Sequence, residues 1–254
     1  MPLTCYDNPL RYFIKFAYNG TSYHGWQYQP NAISVQEVLN KAMSLLCKKN
    51  IDIVGAGRTD AGVHAKMMYA HFDVDEALDT VYITQKLNSF LPKDIVIYNL
   101  IPVEDEAHAR FDAVSRTYNY HIHTFKDAFN NHLSWHYSHP LAIDTMNDAA
   151  RILLEYNDFE CFSKTHTDVF TFNCKITEAF WTGDNHNLCF TITADRFLRN
   201  MVRAIVGTLI NVGLEKITLD DFRNIIESKN RSKAGFSVPA HGLFLTHIQY
   251  PYIP

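Results

Sequence analysis

The sequence predicts an α+β fold of two related sub-domains around a central cleft, each a mainly antiparallel sheet with helices on one face. Three observations lead to this prediction. Strand and helix candidates follow one another along residues 11–102 in the order strand, helix, strand, strand, helix, strand. Residues 111–250 repeat that mixture of elements. An acidic stretch at residues 103–106 separates the two sets and predicts sub-domains at 1–105 and 106–254.

In the first half, each element follows from a local pattern. A run of apolar, aromatic and basic residues predicts a strand over 11–18. Ser34 and Glu37 form a capping box, and the apolar residues that follow have helical spacing, so a helix is expected over 35–48. The other elements expected here are strands over 51–54, 67–74 and 94–102 and a helix over 80–90.

The second half begins with alternating residues over 116–123, which predict a strand. Two runs at 174–181 and 187–193 flank a polar turn and are expected to pair as a hairpin. Helices are expected over 144–156, 197–212 and 218–228, and a last strand over 242–250.

Three arginines stand at the start of the helix expected over 197–212. Arg196, Arg199 and Arg203 are separated by three and four residues, so they would line one face of a helix that begins there. The apolar run at residues 204–210 indicates that this helix is buried, and buried arginines require anionic partners. A solvated basic stripe is the alternative interpretation.

Composition and cysteine usage argue against several classes of protein. Hydrophobic residues make up 47% of the 254 residues and charged residues 20%, as in ordinary globular proteins. The apolar run at 204–210 is too short to cross a bilayer, and residues 1–10 contain no secretory signal. The five cysteines form no Cys-x-x-Cys pair, so disulfides and a cysteine zinc site are not expected and a reducing cytoplasm fits.

Motifs for metal, nucleotide or serine-hydrolase chemistry are not found. The thirteen histidines include no His-Glu-x-x-His spacing, so no metal site is expected. No dinucleotide fingerprint or phosphate loop occurs around the glycines at residues 55–62. The segment at 235–239 departs from the nucleophile elbow at its last position.

The loop at residues 55–65 has the clearest features of a site. It contains three glycines and three alanines, so Arg58, Thr59, Asp60 and His64 are its prominent side chains. Glycine suits positions where the backbone turns sharply or lies close to another molecule. The loop therefore resembles a place where a ligand approaches Asp60. An Asx-turn made by Asp60 is the alternative.

Residues 57–64, Gly-Arg-Thr-Asp-Ala-Gly-Val-His, closely resemble the signature of the TruA family of tRNA pseudouridine synthases. Other segments resemble further motifs of that family, in the same order along the chain. They lie at residues 18–27, 34–36, 116–118, 197–203 and 234–245. The resemblance extends from about residue 11 to residue 250, nearly the whole chain.

The resemblance implies a role for each of five residues. It implies that Asp60 is the catalytic nucleophile and that Arg203 approaches its carboxylate. It also implies that Tyr118 packs against the target uracil and that Arg199 meets phosphate. Arg58 is assigned to the RNA, where it would hold the target nucleotide in an extruded position.

The same resemblance implies the substrate and the partners. The expected activity is isomerisation of uridine to pseudouridine in the anticodon stem-loop of tRNA, by a homodimer that uses no cofactor. A chain with a net charge of −4 would then have to concentrate its basic residues in the central cleft. Two alternatives remain open, an RNA-binding module without catalysis and a carboxylate-dependent enzyme acting on a small nucleoside.

Overall fold

The chain folds into two units that are defined by their internal contacts. The computed structural model describes residues 10–165, 169–184 and 186–253. The first unit contains Met1–Ala113 with Ile248–Pro254, and the second contains Val114–His247. Both combine helices with mainly antiparallel strands, so the predicted α+β class is confirmed. The predicted division at residues 105 and 106 falls inside the first unit, and the division into functional sub-domains stays a prediction.

The first unit is organised around one central strand. Its elements are β1 (Leu10–Tyr18), α1 (Val35–Cys47), β2 (Val54–Gly55), β3 (His64–Val74), α2 (Thr80–Phe90) and β4 (Ile95–Val103). β1 lies between β4 and β3 and pairs antiparallel with both, while β2 pairs with β3. Phe13, Ile14 and Phe16 of β1 are fully buried. Because neighbouring residues of a strand face opposite sides, both faces of β1 are covered.

Side-chain caps explain where the two helices of this unit begin. The Ser34 hydroxyl accepts a hydrogen bond from the Glu37 amide at 3.2 Å, as the capping box predicts. The Asp79 carboxylate accepts from the Tyr82 amide at 3.0 Å and caps α2. Both helices therefore begin at the predicted residues.

The segment before β2 does not form the predicted strand, because side chains of α1 occupy the place of a neighbouring strand. The Ile51 amide donates to the Ser44 hydroxyl at 2.9 Å, and the Ile53 amide donates to the Asn40 side-chain oxygen at 3.1 Å. The Ile53 carbonyl accepts from the Gln36 side-chain amide at 2.8 Å. The backbone is thus satisfied without a strand partner.

Among the described residues, the second unit contains four strands that pair side by side, a short fifth strand and three α-helices. Its elements are β5 (Ser115–His123), β6 (Trp135–His136), α3 (Ile143–Ile152), β7 (Ile176–Gly183), β8 (Asn187–Ala194), α4 (Met201–Gly213), α5 (Leu219–Glu227) and β9 (Leu243–Gln249), whose last residues belong to the first unit. The strand order is β9–β5–β8–β7, with β6 parallel to β5. The predicted hairpin is confirmed as β7 and β8.

α4 begins four residues later than predicted. The chain turns at Asn200, which has the left-handed backbone conformation with φ of 67°. The Met201 amide closes this turn by donating to the Leu198 carbonyl at 3.1 Å, and the Ala204 amide makes the first helical bond, to the Asn200 carbonyl. Asparagine adopts this conformation more readily than most residues. The hydrophobic pattern continues across the turn, so periodicity alone predicts a longer helix.

The described part of the chain contains neither a membrane-spanning helix nor a cluster of metal ligands. None of its helices is both long and apolar enough to cross a membrane. Within residues 10–165, 169–184 and 186–253, no group of three or more histidine, cysteine, aspartate and glutamate side chains is arranged to hold a metal ion. The described cysteines Cys47, Cys161, Cys174 and Cys189 are free thiols.

A buried histidine makes the stability of the first unit depend on pH. His71 is 5% exposed, and its Nδ1 accepts from the Ala109 amide at 3.2 Å. Burial, with a smaller contribution from His108, lowers the pKa of His71 to about 4 from the ordinary 6.5. Between these values the unfolded chain binds a proton that the folded chain excludes, so acid favours unfolding.

We therefore expect the free energy of unfolding to decrease as the pH falls from about 6.5 towards 4. Urea denaturation at a series of pH values measures this dependence. His71→Gln, which keeps a side-chain acceptor but cannot titrate, should show a smaller loss over the same range. Equal pH dependence in the two proteins would mean that His71 contributes nothing to it.

Candidate active site

Asp60 lies in the loop between β2 and β3, and the backbone of this loop is held near both ends. The Ala56 amide donates to the Tyr69 carbonyl at 2.8 Å. The Val63 amide donates to the Asp60 carbonyl at 3.1 Å and closes a tight turn. Asp60 is thus at the first position of a hydrogen-bonded turn, and its side chain is partly exposed.

A second segment of the first unit runs against the same loop. The Trp26 amide donates to the Thr59 carbonyl at 3.3 Å, and the Gly62 amide donates to the Tyr23 carbonyl at 3.3 Å. Tyr23 and Trp26 are 6% and 3% exposed, so these two aromatics pack the loop onto the core. Both rings therefore serve the packing of this segment.

Two glycines allow the two backbones to lie this close. Gly25 has φ of +88°, and a Cβ there would be 2.3 Å from the Thr59 carbonyl oxygen. A Cβ on Gly20 would be 2.0 Å from the Val63 carbonyl oxygen. No side chain fits at such distances, so both positions require glycine. These contacts lie on either side of Asp60 in the chain and fix the path of the backbone through it.

Side chains add a further restraint next to Asp60. The hydroxyl groups of Tyr18 and Thr59 are hydrogen bonded at 2.8 Å, and Tyr18 is 3% exposed at the end of β1. His64 is also buried, and its Nδ1 accepts from the Gly20 amide at 3.0 Å. The residue before the carboxylate and the strand after it are thus both tied to the core.

Two residues that precede Thr59 in the loop, Gly57 and Arg58, border open space. Arg58 is exposed. A Cβ on Gly57 would meet nothing within 4 Å. The loop therefore presents a guanidinium, a bare stretch of backbone and a carboxylate on a rigid frame, which suits the approach of an extended ligand.

In the second unit, Arg203 is held at the start of α4. Its Nε donates to the Val238 carbonyl at 2.7 Å, and the Val238 amide donates to the Arg203 carbonyl at 3.3 Å. The helix and this segment approach closely because a Cβ on Gly207 would lie 1.8 Å from the Phe236 carbonyl oxygen. The guanidinium therefore has a fixed orientation, although Arg203 is only half-buried.

Tyr118 lies on β5 opposite Ile192 of β8 and is partly exposed. Its ring meets that of Phe197 edge to face, with centroids 5.1 Å apart and an interplanar angle of 89°. This contact fixes the plane of the tyrosine ring while leaving part of it accessible. The sequence assigned no role to Phe197.

The three arginines predicted on one helix face are not on one helix. α4 begins at Met201, so Arg196 and Arg199 precede it and only Arg203 is helical. Arg199 is exposed, and its carbonyl accepts from the Lys164 amide at 3.0 Å. The physical reason is the turn before α4, which breaks the spacing that would have aligned the three side chains. The loss of the shared helix face does not bear on the predicted contact of Arg199 with phosphate, which stays a prediction.

The predicted site residues come from both units, with Arg58 and Asp60 in the first and Tyr118, Arg199 and Arg203 in the second. A family model described as tRNA pseudouridine synthase matches residues 15–112 and 149–251, which is more than half of the chain. The chain belongs to the tRNA pseudouridine synthase family. The resemblance of residues 57–64 to the signature of this family is thereby confirmed at the level of the family.

Individual members of the family align over nearly the whole chain. The chain is 54% identical over 242 residues to the tRNA pseudouridine synthase A of Parabacteroides distasonis, covering 95% of this chain and 96% of that protein. It is 55% identical over 243 residues to the enzyme of the same name from Bacteroides fragilis, with 95% and 96% covered. A Thermoanaerobacter protein of that name is 42% identical over 246 residues, with 93% and 98% covered.

The sequence did not identify the residues that position the loop carrying Asp60. Tyr18 and Gly25 belong to the segment at residues 18–27 that resembles a family motif, but the sequence assigned neither residue a role. The signal that could have found them was this resemblance, because the segment lies far from Asp60 along the chain. The contacts of Tyr18 and Gly25 with Thr59 depend on tertiary structure, so the spacing of residues along the chain does not predict them.

Proposed function

We propose that this protein isomerises uridine to pseudouridine in tRNA. One observation carries the proposal. An intact Gly-Arg-Thr-Asp-Ala-Gly-Val-His string stands on a rigid, partly exposed loop in a chain that belongs to the tRNA pseudouridine synthase family. A loop held so firmly around one carboxylate suits nucleophilic catalysis, which requires the attacking group in a fixed place.

The reaction is an intramolecular rearrangement. The bond between N1 of uracil and C1′ of ribose breaks, the uracil turns, and a bond forms between its C5 and the same C1′. C5 loses its hydrogen and N1 gains one, so the atoms balance without oxidant, reductant or net hydrolysis. Asp60 is the nucleophile, attacking either the uracil ring or C1′, and the chemistry calls for no cofactor.

The remaining residues are proposed to support the nucleophile and to hold the nucleotide in place. Arg203 is proposed as the partner of the Asp60 carboxylate, the role that the resemblance to the family implies. Tyr118 packs on the extruded uracil, and its fixed ring plane supports that role. Arg58 holds the target nucleotide in its extruded position and Arg199 meets phosphate, and both side chains are exposed.

The proposal also covers which uridines are modified, where the enzyme acts and how many subunits it has. We propose that the enzyme acts on uridines of the anticodon stem-loop, in the cytoplasm, and that a homodimer binds one tRNA across both subunits. The resemblance to the TruA family supports these points. Folded RNA is recognised mainly by shape and phosphate contacts, which suits the exposed arginines assigned to the RNA.

The test is incubation of the protein with an unmodified tRNA transcript and an assay for pseudouridine. We expect pseudouridine in the tRNA and none from free uridine supplied at the same concentration. Binding of the transcript without conversion would favour an RNA-binding module without catalysis. Release of free uracil from uridine would favour a nucleoside hydrolase. Either of these results would reject the proposed activity.

A further inference from the structure

In the second unit, residues 235–239 lie against the first turns of α4. The Gly235 amide donates to the Thr208 hydroxyl at 2.9 Å, and the Val238 carbonyl accepts from Nε of Arg203 at 2.7 Å. The carbonyl that Arg203 contacts thus belongs to the backbone of this segment. The orientation of the guanidinium therefore depends on the position of residues 235–239.

Arg231 holds two residues of the same segment at once. Its Nη1 donates to the Gly235 carbonyl at 3.0 Å, and its Nη2 donates to the Ser237 hydroxyl at 2.9 Å. A guanidinium presents its N–H groups in a rigid planar fork, so it keeps these two acceptors at a fixed separation. A lysine ammonium has no such fork and would not reproduce both contacts in the same geometry.

The Ser237 hydroxyl connects Arg231 with the start of α4. Besides the contact from Arg231, it accepts a hydrogen bond from the Asn200 side-chain amide at 2.7 Å. Asn200 is the residue with the left-handed conformation that directly precedes α4. A hydroxyl oxygen can accept two hydrogen bonds, and here the two donors come from opposite ends of the network.

The loop that carries Arg231 is itself ordered. The side-chain oxygen of Asn230 accepts from the amide and the hydroxyl of Ser232, at 2.9 and 2.8 Å. The Lys233 amide donates to the Asn230 carbonyl at 3.1 Å and closes a turn around Arg231. Arg231 therefore donates to the segment from a fixed base, as a residue must if it is to position another group.

A contact with phosphate is the other role that an arginine has in an enzyme acting on RNA. Arg231 is half-buried, and both of its terminal nitrogens donate to acceptors within the protein. These contacts favour a connection inside the protein over a contact with RNA. The function proposed above assigns no role to Arg231, Ser237 or Asn200.

We propose that Ser237 and Arg231 are positioning residues for Arg203. The connection leads from Arg231 to the Ser237 hydroxyl, along the backbone to the Val238 carbonyl, and from there to Nε of Arg203. This inference rests on the proposed function, because it takes Arg203 to act in turnover. Ser237 and Arg231 take no part in the bond changes themselves.

The first experiment compares Ser237→Ala with Ser237→Thr, which keeps the hydroxyl. Single-turnover conversion of a saturating unmodified tRNA transcript should slow about tenfold in Ser237→Ala and less than about twofold in Ser237→Thr, because small displacements of a catalytic group are costly. The dissociation constant of the transcript should not change in either variant. A wild-type rate in Ser237→Ala, or an equal loss of rate in both variants, would overturn the positioning role.

Arg231→Lys separates positioning from a contact with RNA. It keeps the positive charge but loses the two-point contact, so turnover should fall as it does in Ser237→Ala. The slope of tRNA affinity against salt concentration should equal that of the wild type, since no phosphate contact is lost. Weaker binding with a smaller slope and an unchanged rate would mean that Arg231 contacts phosphate instead.

Thr218→Ala is the matched control for a general loss of stability. The Thr218 hydroxyl also makes two hydrogen bonds in this unit, donating to the Asp221 carboxylate at 2.8 Å and accepting from the Asp221 amide at 3.1 Å. Because it caps α5, its removal should lower the urea midpoint and leave turnover unchanged. A loss of turnover equal to that of Ser237→Ala would mean that stability explains both.

A second readout reports the orientation of Arg203 without using activity. The Nε–H signal of Arg203, in a spectrum of the protein with isotope-labelled arginine, is assigned by its absence from Arg203→Lys. The hydrogen bond to Val238 should protect this proton from exchange with solvent, and exchange should be about tenfold faster in Ser237→Ala. Equal exchange in the two proteins would overturn the connection between Ser237 and Arg203.

The two proposals fail in different ways. If the wild type forms no pseudouridine, the proposed function is wrong, and the exchange of the Arg203 signal alone decides whether Ser237 orients Arg203. If the wild type is active and Ser237→Ala keeps its rate, only the positioning role is wrong.

Discussion

Asp60→Asn is expected to reduce pseudouridine formation by roughly a thousandfold or more while tRNA binding is retained. The amide has nearly the size and shape of the carboxylate, so the loop contacts of Thr59 and Val63 are preserved. It carries no negative charge and cannot act as the nucleophile. The measurement is single-turnover conversion of an unmodified tRNA transcript, together with the dissociation constant of the same transcript.

Asp52→Asn is the matched control for this variant. Asp52 is exposed in the same unit, and its carboxylate only accepts a hydrogen bond from the Asn40 side chain at 3.2 Å. Its removal should leave turnover unchanged. Turnover near the wild-type rate in Asp60→Asn would reject the nucleophile assignment. A loss of both turnover and binding would indicate that Asp60 serves the RNA complex instead of the chemistry.

Gly25→Ala is expected to have the second largest effect, on stability and on turnover together. The alanine Cβ would lie 2.3 Å from the Thr59 carbonyl oxygen at a residue whose φ is +88°. Strain at positive φ and the forced displacement of the neighbouring backbone each cost about 1–3 kcal/mol, so the free energy of unfolding should fall by roughly 2–6 kcal/mol. Displacement of Asp60 by even about 1 Å could lower turnover a hundredfold.

Gly57→Ala provides the comparison on stability. A Cβ there meets nothing within 4 Å, although Gly57 is much nearer to Asp60 in sequence than Gly25 is. Urea denaturation should therefore give the same unfolding free energy for Gly57→Ala as for the wild type. A similar destabilisation of both variants would mean that the loop is held by something other than the contact at Gly25. Any rise in KM in Gly57→Ala would report the approach of RNA to this stretch of backbone.

Most elements of the fold could be predicted from local patterns. The capping box at Ser34 fixed the start of α1, and alternation identified β5 and the hairpin of β7 and β8. The errors arose where tertiary contacts replaced a local preference. Ile51 and Ile53 are β-branched, yet their backbone groups form hydrogen bonds with side chains of α1. The apolar residues from 197 onward have helical spacing, yet the turn at Asn200 ends that spacing before α4. No proline or glycine in this stretch marks the break.

The candidate site was predictable only where a motif marked it. Asp60 and Arg58 are identified by a string of eight residues, and Arg203 and Tyr118 by shorter ones. The groups that position them depend on contacts between residues far apart in the chain. The hydroxyl of Tyr18 meets that of Thr59 across 41 residues, and Nε of Arg203 donates to the Val238 carbonyl across 35 residues. Neither pairing leaves a trace in local spacing.

The three polar side chains that α1 directs at the segment before β2 have a consequence for the behaviour of the protein in concentrated solution. Gln36, Asn40 and Ser44 recur every four residues and saturate a backbone that would otherwise be open to another molecule. We therefore expect these hydrogen bonds to oppose strand pairing between molecules at the segment that precedes the loop of Asp60. One amphipathic helix thus both packs the core and shields a vulnerable edge.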